Sequence, residues 1–288
     1  MKTIELGTFN KLTIVKKALR EGFGEEFGVY LDGGKAGDIL MPQKYISQGA
    51  NIGDEVEVLV YLDQDERPIA TTEKPLATVN SFAYLSCSWV NEYGAFLSWG
   101  VTKDLFCPFR EQKRRMEIGN SYIIFMYIDK ETYRLVASAK VEHFLSKEFP
   151  TYKHGEEVDL LIWQKTDLGF KVIVDNKYAG LIYEDQVFKR IHTGDKLKGY
   201  IANIRTDGKI DCTLQPIGQQ YAISFAERLL EYLKAHNGEC NLGDKSNAED
   251  IKYQFQVSKK VYKKAIGDLY KKHLITVEPT KIKLVKNV

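Results

Sequence analysis

Two short segments pair aromatic rings around a glycine, Phe27-Gly28-Val29-Tyr30 and Tyr93-Gly94-Ala95-Phe96. Rings at such positions, exposed on a sheet, stack on unpaired bases whatever the base, because every base has a π-face. Positive side chains nearby would meet the phosphates that join those bases. Arg67, Arg134, Arg205 and Lys209, each on the last two strands of a repeated unit, are the candidates. Each has a plainer alternative as a solvated turn residue, the norm for Lys and Arg on soluble proteins.

The pattern that positions these residues occurs three times. A first glycine in an apolar run is followed at one fixed interval by a second, as Gly28 and Gly53, Gly94 and Gly119, and Gly169 and Gly194. A third strand follows each first glycine, and in it Pro42, Pro108 and Tyr183 hold equivalent places. The second glycine opens a strand of period-two apolar positions, such as Val56, Val58 and Val60. Five short strands per copy fit the partly open OB-type barrel. The aromatics of each pair lie three apart, on opposite faces of a regular strand, so the glycine is expected to mark a bulge that turns both outward.

Beyond Gly218 the period approaches four. Ser224 and Glu227 have capping-box spacing, and Phe225, Leu229, Leu230 and Leu233 make one apolar stripe. Ser246 and Glu249 predict a second helix through Phe255, and a third starts near Ser258. It sets Val257, Val261, Ala265 and Leu269 inward and Lys259, Lys260, Lys263 and Lys264 outward. Two short strands, 275–278 and 282–285, complete a winged-helix arrangement. Lys259 and Lys260 sit in the first turn, where positive charge opposes the helix dipole, and this placement points to phosphate contact. The expected fold is therefore mainly β with an α+β C-terminal unit. The units span residues 1–75, 76–150, 151–221 and 222–288.

Net charge is only +2, but about −4 falls on residues 1–75 and about +5 on residues 222–288. The acidic first copy would repel a phosphate backbone, which favours the second as the stacking site. The second copy also carries Arg110, Lys113, Arg114 and Arg115, of which Arg114 and Arg115 are the candidate phosphate contacts. Four scattered cysteines without a C-x-x-C pair argue against zinc and read as buried thiols in a reducing compartment. No apolar run approaches the length of a membrane span, and a soluble cytoplasmic protein is expected. Gly22-Phe23-Gly24 runs into Phe27 where a dinucleotide-binding loop needs glycine, and no P-loop or histidine pair for acid–base cleavage is present. Asp63 and Asp129, at equivalent positions after the fourth strand, could hold a metal or cap a turn.

The aromatic–glycine–aromatic segments, with their following strands, resemble the S1 RNA-binding domain. That resemblance implies single-stranded RNA contacts at Phe27, Tyr30, Tyr93 and Phe96. A third-strand residue, often histidine in S1 domains, is here Pro42, Pro108 or Tyr183. In the third copy Leu168 and Lys171 replace the aromatic pair, leaving Tyr183 as the stacking ring. Three S1-like repeats followed by a winged helix resemble, over essentially the whole chain, the conserved virulence factor B (CvfB) family of bacteria. The resemblance implies a noncatalytic, cofactor-free RNA-binding regulator of gene expression. DNA binding by the winged helix, and a scaffold that holds a ribosomal or transcription protein, are the alternative readings.

Overall fold

A computed structural model describes residues 3–20, 24–187, 189–217 and 219–285. Gly22, Phe23 and Gly218 lie outside the described residues, as does the side chain of Ser224. The chain divides into two compact units, residues 1–145 and 146–288.

The first unit holds two barrels. β1 (Phe9–Leu19), β2 (Glu26–Asp32), β3 (Asp38–Pro42), β4 (Glu55–Leu62) and β5 (Pro68–Thr71) form the first. β6 (Ser81–Val90), β7 (Gly94–Ser98), β8 (Leu105–Pro108), β9 (Ser121–Ile128) and β10 (Leu135–Ser138) form the second. In both, the first strand pairs with the second and fourth, and a short parallel contact between the third and fifth closes the barrel. These barrels are closed, not partly open. Alternating inward residues such as Leu12, Ile14, Val58 and Val60 in one, and Ala83, Leu85, Ala95 and Leu97 in the other, fill the interiors.

The repeated glycines have two different causes. Gly28 lies directly opposite Pro42, and Gly94 opposite Pro108. A Cβ at Gly28 would collide with the Met41 carbonyl, and one at Gly94 with that of Cys107. The first glycine thus lets the third strand cross closely. The second opens the fourth strand at positive φ, +99° for Gly53 and +82° for Gly119, and its N–H donates back to the first strand at Ile14 or Cys87.

The bulge is present but not at the glycine. The register of the first strand slips between Ile14 and Lys16, and between Cys87 and Trp89. β2 and β7 run regularly against their third strands, so Tyr30 and Phe96 point outward while Val29 and Ala95 point in. The extra residue belongs to the strand that the second glycine contacts, and it reverses the facing of everything after it.

The two barrels of this unit are docked on each other. Tyr61 meets Trp99 edge-on at 6.1 Å, the Tyr45 hydroxyl donates to Glu73 and contacts Thr102 Oγ1 at 3.1 Å, and Lys103 Nζ donates to the Asp63 carbonyl at 2.6 Å.

The second unit begins with a third barrel of the same order, β11 (Glu157–Thr166), β12 (Gly169–Val174), β13 (Tyr178–Tyr183), β14 (Lys196–Ile204) and β15 (Ile210–Thr213). Gly169 faces Tyr183, the bulge falls between Ile162 and Gln164, and Gly194 donates to Ile162.

Three helices follow, α1 (Gln219–Ala235), α2 (Ala248–Phe255) and α3 (Lys259–Lys271). Phe225, Leu229 and Leu233 are buried, and Leu230 packs against them. Neither expected capping box marks the start of its helix. α1 starts five residues before Ser224, so Ser224 and Glu227 lie inside it. Asn247 caps α2 by accepting the Glu249 N–H, while Ser246 Oγ accepts from Gly243 one turn earlier. Ser258 does cap α3, through the Val261 N–H. Val257, Ala265 and Leu269 are buried, Val261 is half-buried, and Tyr262 and Ile266 join them in the core. The wing has three strands, because β16 (Glu239–Cys240) pairs with β18 (Ile282–Leu284) beside β17 (Ile275–Val277). No helix among the described residues is long and apolar enough to cross a membrane.

Candidate nucleic-acid interface

The outward face of the second barrel carries an aromatic cluster. The bulge before Trp89 sets that indole opposite Phe96, and the two rings stack at 3.7 Å with planes 5° apart. Phe106, on β8 opposite Phe96, lies 5.0 Å away and tilted. Trp89 is 44% and Tyr93 66% exposed. Asn91 Oδ1 accepts the N–H groups of Tyr93 and Gly94, which orders the turn that presents Tyr93. Sequence reasoning missed Trp89 and Phe106. The signal for Trp89 is a break in alternation at Cys87-Ser88-Trp89-Val90, legible only once the bulge is assigned to the first strand.

The first barrel presents less. Tyr30 is half-buried beneath Lys16, whose Nζ sits 5.0 Å from the ring, and Phe27 is 38% exposed at the start of β2 with the parity of the inward residues. The expectation that both rings share the outer face does not hold here. In the third barrel Lys171 extends beside Trp163, and Leu168 is exposed. Tyr183 is half-buried, and its hydroxyl accepts from Arg205.

Four of the basic candidates are already engaged. Arg67 pairs with Asp63 and Asp65, Arg134 with Glu66, Arg205 with Asp211 through two nitrogens, and Lys209 with Asp207. Arg115 lies over Phe109 with its guanidinium carbon 3.3 Å from the ring centre. Arg110 pairs with Asp129 and Lys113 with Glu142, whereas Arg114 is exposed and makes no ion pair among the described residues. On α3, Lys260 and Lys264 are exposed, Lys259 is half-buried, and Lys263 pairs with Asp244 at 3.0 Å.

Asp63 and Asp129 are occupied as turn caps. Asp129 Oδ1 accepts the N–H groups of Thr132 and Glu131, and these bonds, the first foremost, hold its carboxyl below the usual range despite its burial. Asp63 accepts from Asp65 and Arg67 in the same way. No group of three metal-ligating side chains occurs among the described residues. The four cysteines are free and buried, and burial pushes the Cys107 and Cys212 thiols up to about 12.

Tandem five-stranded barrels carrying an outward aromatic cluster, followed by a winged helix, define a modular protein built from folds that typically bind rather than catalyse.

Comparison with known proteins makes the class specific. The S1 domain family matches residues 6–73, and the CvfB-like winged helix domain matches residues 227–284. The chain is 25% identical over 254 residues to the uncharacterized protein YitL of Bacillus subtilis, covering 85% of each chain. It is 23% identical to conserved virulence factor B of Staphylococcus saprophyticus, covering 82% of this chain and 81% of that one. A multidomain protein with nucleic acid binding domains from Streptococcus pneumoniae aligns over 97% of this chain and 98% of its own, with 20% identity and a TM-score of 0.42. The first barrel matches the S1 domain family and the C-terminal domain matches the CvfB-like winged helix family, which bears out the expected resemblance to CvfB-like proteins.

Proposed function

We propose that this chain is a noncatalytic single-stranded RNA-binding protein that acts in the control of gene expression. The observation that carries this reading is the aromatic cluster on the second barrel, in which exposed Trp89 and Tyr93 flank the half-buried rings of Phe96 and Phe106. Flat rings suit unpaired bases, because every base has a π-face. Lysines on the exposed side of α3, together with Arg114, supply phosphate contacts. The S1 domain match, beside a CvfB-like winged helix, supports the RNA-binding part of this reading. Four reduced, buried cysteines suit the cytoplasm. The units bounded at residues 75, 150 and 221 would then add their contacts along one strand.

Stacking is worth about 1–3 kcal/mol per base, so two engaged rings account for about thirtyfold in affinity or more. Fluorescence anisotropy of the wild type and the Tyr93→Ala/Phe96→Ala variant, with matched labelled RNA and DNA strands at two salt concentrations, tests the reading. RNA-favoured binding that weakens in the variant supports it. Absence of binding at low salt, with both proteins folded, sinks it.

The acidic first barrel favours a second reading, a scaffold that holds a ribosomal or transcription protein. In that case the same variant loses RNA and keeps its cellular partners.

A further inference from the structure

A groove of about 460 Å³ runs along the junction of the two barrels in the first unit. Tyr93, Phe96 and Phe106 of the second barrel line it together with Tyr61 and Leu62 of the first. Its charged groups are Glu66, Arg134, Lys103 and Asp104, which cancel. Both cations are committed, Arg134 to Glu66 and Lys103 to the Asp63 carbonyl. A phosphate finds no net attraction there. A flat, neutral ring with polar edges does fit, and the volume lies within the range of small-ligand sites.

Asp104 distinguishes this groove from the matching place in the first barrel. There Asp38, which opens β3, pairs with Lys16 at 2.7 Å, and Lys16 is the residue after the bulge, opposite Tyr30. In the second barrel the residue after the bulge is Trp89, opposite Phe96. Replacing that lysine with tryptophan does two things at once. It builds the stacking platform and leaves the Asp104 carboxylate without a cation, and among the described residues Asp104 makes neither a hydrogen bond nor an ion pair.

We infer that this groove holds one guanine base of the bound RNA, with Asp104 accepting from its N1–H and N2 amino group while Tyr93, Phe96 and Phe106 enclose the ring. A carboxylate has two parallel acceptors and no donor. Of the four bases, guanine alone presents two adjacent donors on its Watson–Crick edge, so the match is bidentate, and single-stranded RNA leaves that edge free. Adenine and cytosine offer one amino group beside an acceptor that the carboxylate repels, and uracil flanks its single N–H with two carbonyls. The acidic first barrel thereby contributes a wall to the site without needing a phosphate surface of its own.

This assignment rests on the RNA-binding reading, and the test separates the two. Labelled uridine decamers carrying one central guanosine, adenosine or inosine are titrated into the full-length protein and its Asp104→Asn variant by anisotropy. Adenosine controls for purine stacking, and inosine lacks only the N2 amino group. The wild type should hold the guanosine strand at least about fivefold more tightly than the other two. The isosteric Asp104→Asn change, which turns one acceptor into a donor, should erase that preference and leave the adenosine strand bound as well or better. Equal binding of all three strands by the wild type, or a guanosine preference that survives Asp104→Asn, overturns the inference while RNA binding stands. Failure to bind any strand overturns both.

Discussion

The Trp89 indole lies flat on the Phe96 ring, centroids 3.7 Å apart and planes 5° from parallel. Neither strand alone explains the contact. β7 keeps strict alternation, which turns Phe96 outward, but unbroken alternation in β6 would turn Trp89 into the core after Leu85 and Cys87. The slip at Ser88 reverses it. That slip is held by Gly119, whose N–H donates to the Cys87 carbonyl, while the Cys87 N–H donates to Asn120. A turn residue on another strand therefore decides which face the tryptophan occupies.

Trp89→Ala should weaken RNA binding by about 5- to 150-fold, the range for loss of one stacking partner, because it also frees Phe96 from its ordered position. Trp89→Phe should recover most of the loss. Anisotropy titrations read both effects, and chemical denaturation confirms that the fold is retained. An unchanged affinity for Trp89→Ala would remove this face from the binding surface.

The two glycines of each repeat should respond differently to alanine. At Gly119 the added Cβ meets nothing within 4 Å, so the cost is the positive φ alone, about 1–2 kcal/mol. At Gly94 the Cβ runs into the Cys107 carbonyl, the Phe106 ring and Pro108, and the strands must part. Urea denaturation should show Gly94→Ala as clearly the more destabilising. Equal losses would mean that the third strand shifts freely.

The order of the units was legible because the repeated glycines mark backbone constraints, and backbone constraints leave the same residue type in every copy. The stripe of Phe225, Leu229 and Leu233, and the cap at Ser258, were legible for the same local reason. The bulge was not. A register slip is a relation between two strands, and Val15, Ser88 and Trp163, which occupy it, share no side-chain chemistry. Its misplacement at the glycine hid Trp89 and paired Phe27 with Tyr30. Asn247 won the α2 cap over Ser246 because the Ser246 hydroxyl already accepts the Gly243 N–H in the preceding turn.

Asp129 gives the second barrel an acid-sensitive turn. Its carboxyl sits below the ordinary range because the charged form accepts from Thr132, Glu131 and the Thr132 hydroxyl, with Arg110 beside it. A depressed folded-state pKa contributes stability that is present above the unfolded value, near 3.9, and is lost as pH falls through the folded one. The urea midpoint of the wild type should therefore drop more between pH 5 and pH 3 than that of Asp129→Asn. Identical slopes would show that the turn contributes nothing to acid sensitivity.

Cys107 and Cys212 should resist alkylation in the native state at pH 8, since burial both removes access and keeps the thiol protonated. Mass spectrometry after iodoacetamide treatment should find them unmodified until denaturant is added. Rapid native labelling of Cys107 would indicate that the second barrel opens.

The lysines at the start of α3 set stability against binding. Ser258 caps the helix, yet Lys259 and Lys260 place positive charge against the positive end of its dipole, where no acidic residue offsets them in the first turn. Lys259→Ala/Lys260→Ala should therefore raise the stability of the winged helix by a few tenths of a kcal/mol per site. If these lysines touch phosphate, the same change should lower affinity for RNA and reduce the dependence of log K on log salt by about 0.7 for each phosphate no longer neutralised on a single strand. Stability measured by denaturation and affinity measured across a salt series must then move in opposite directions. A variant that becomes more stable and keeps both its affinity and its salt slope would show that this face is solvated and that the phosphate-binding groups lie elsewhere.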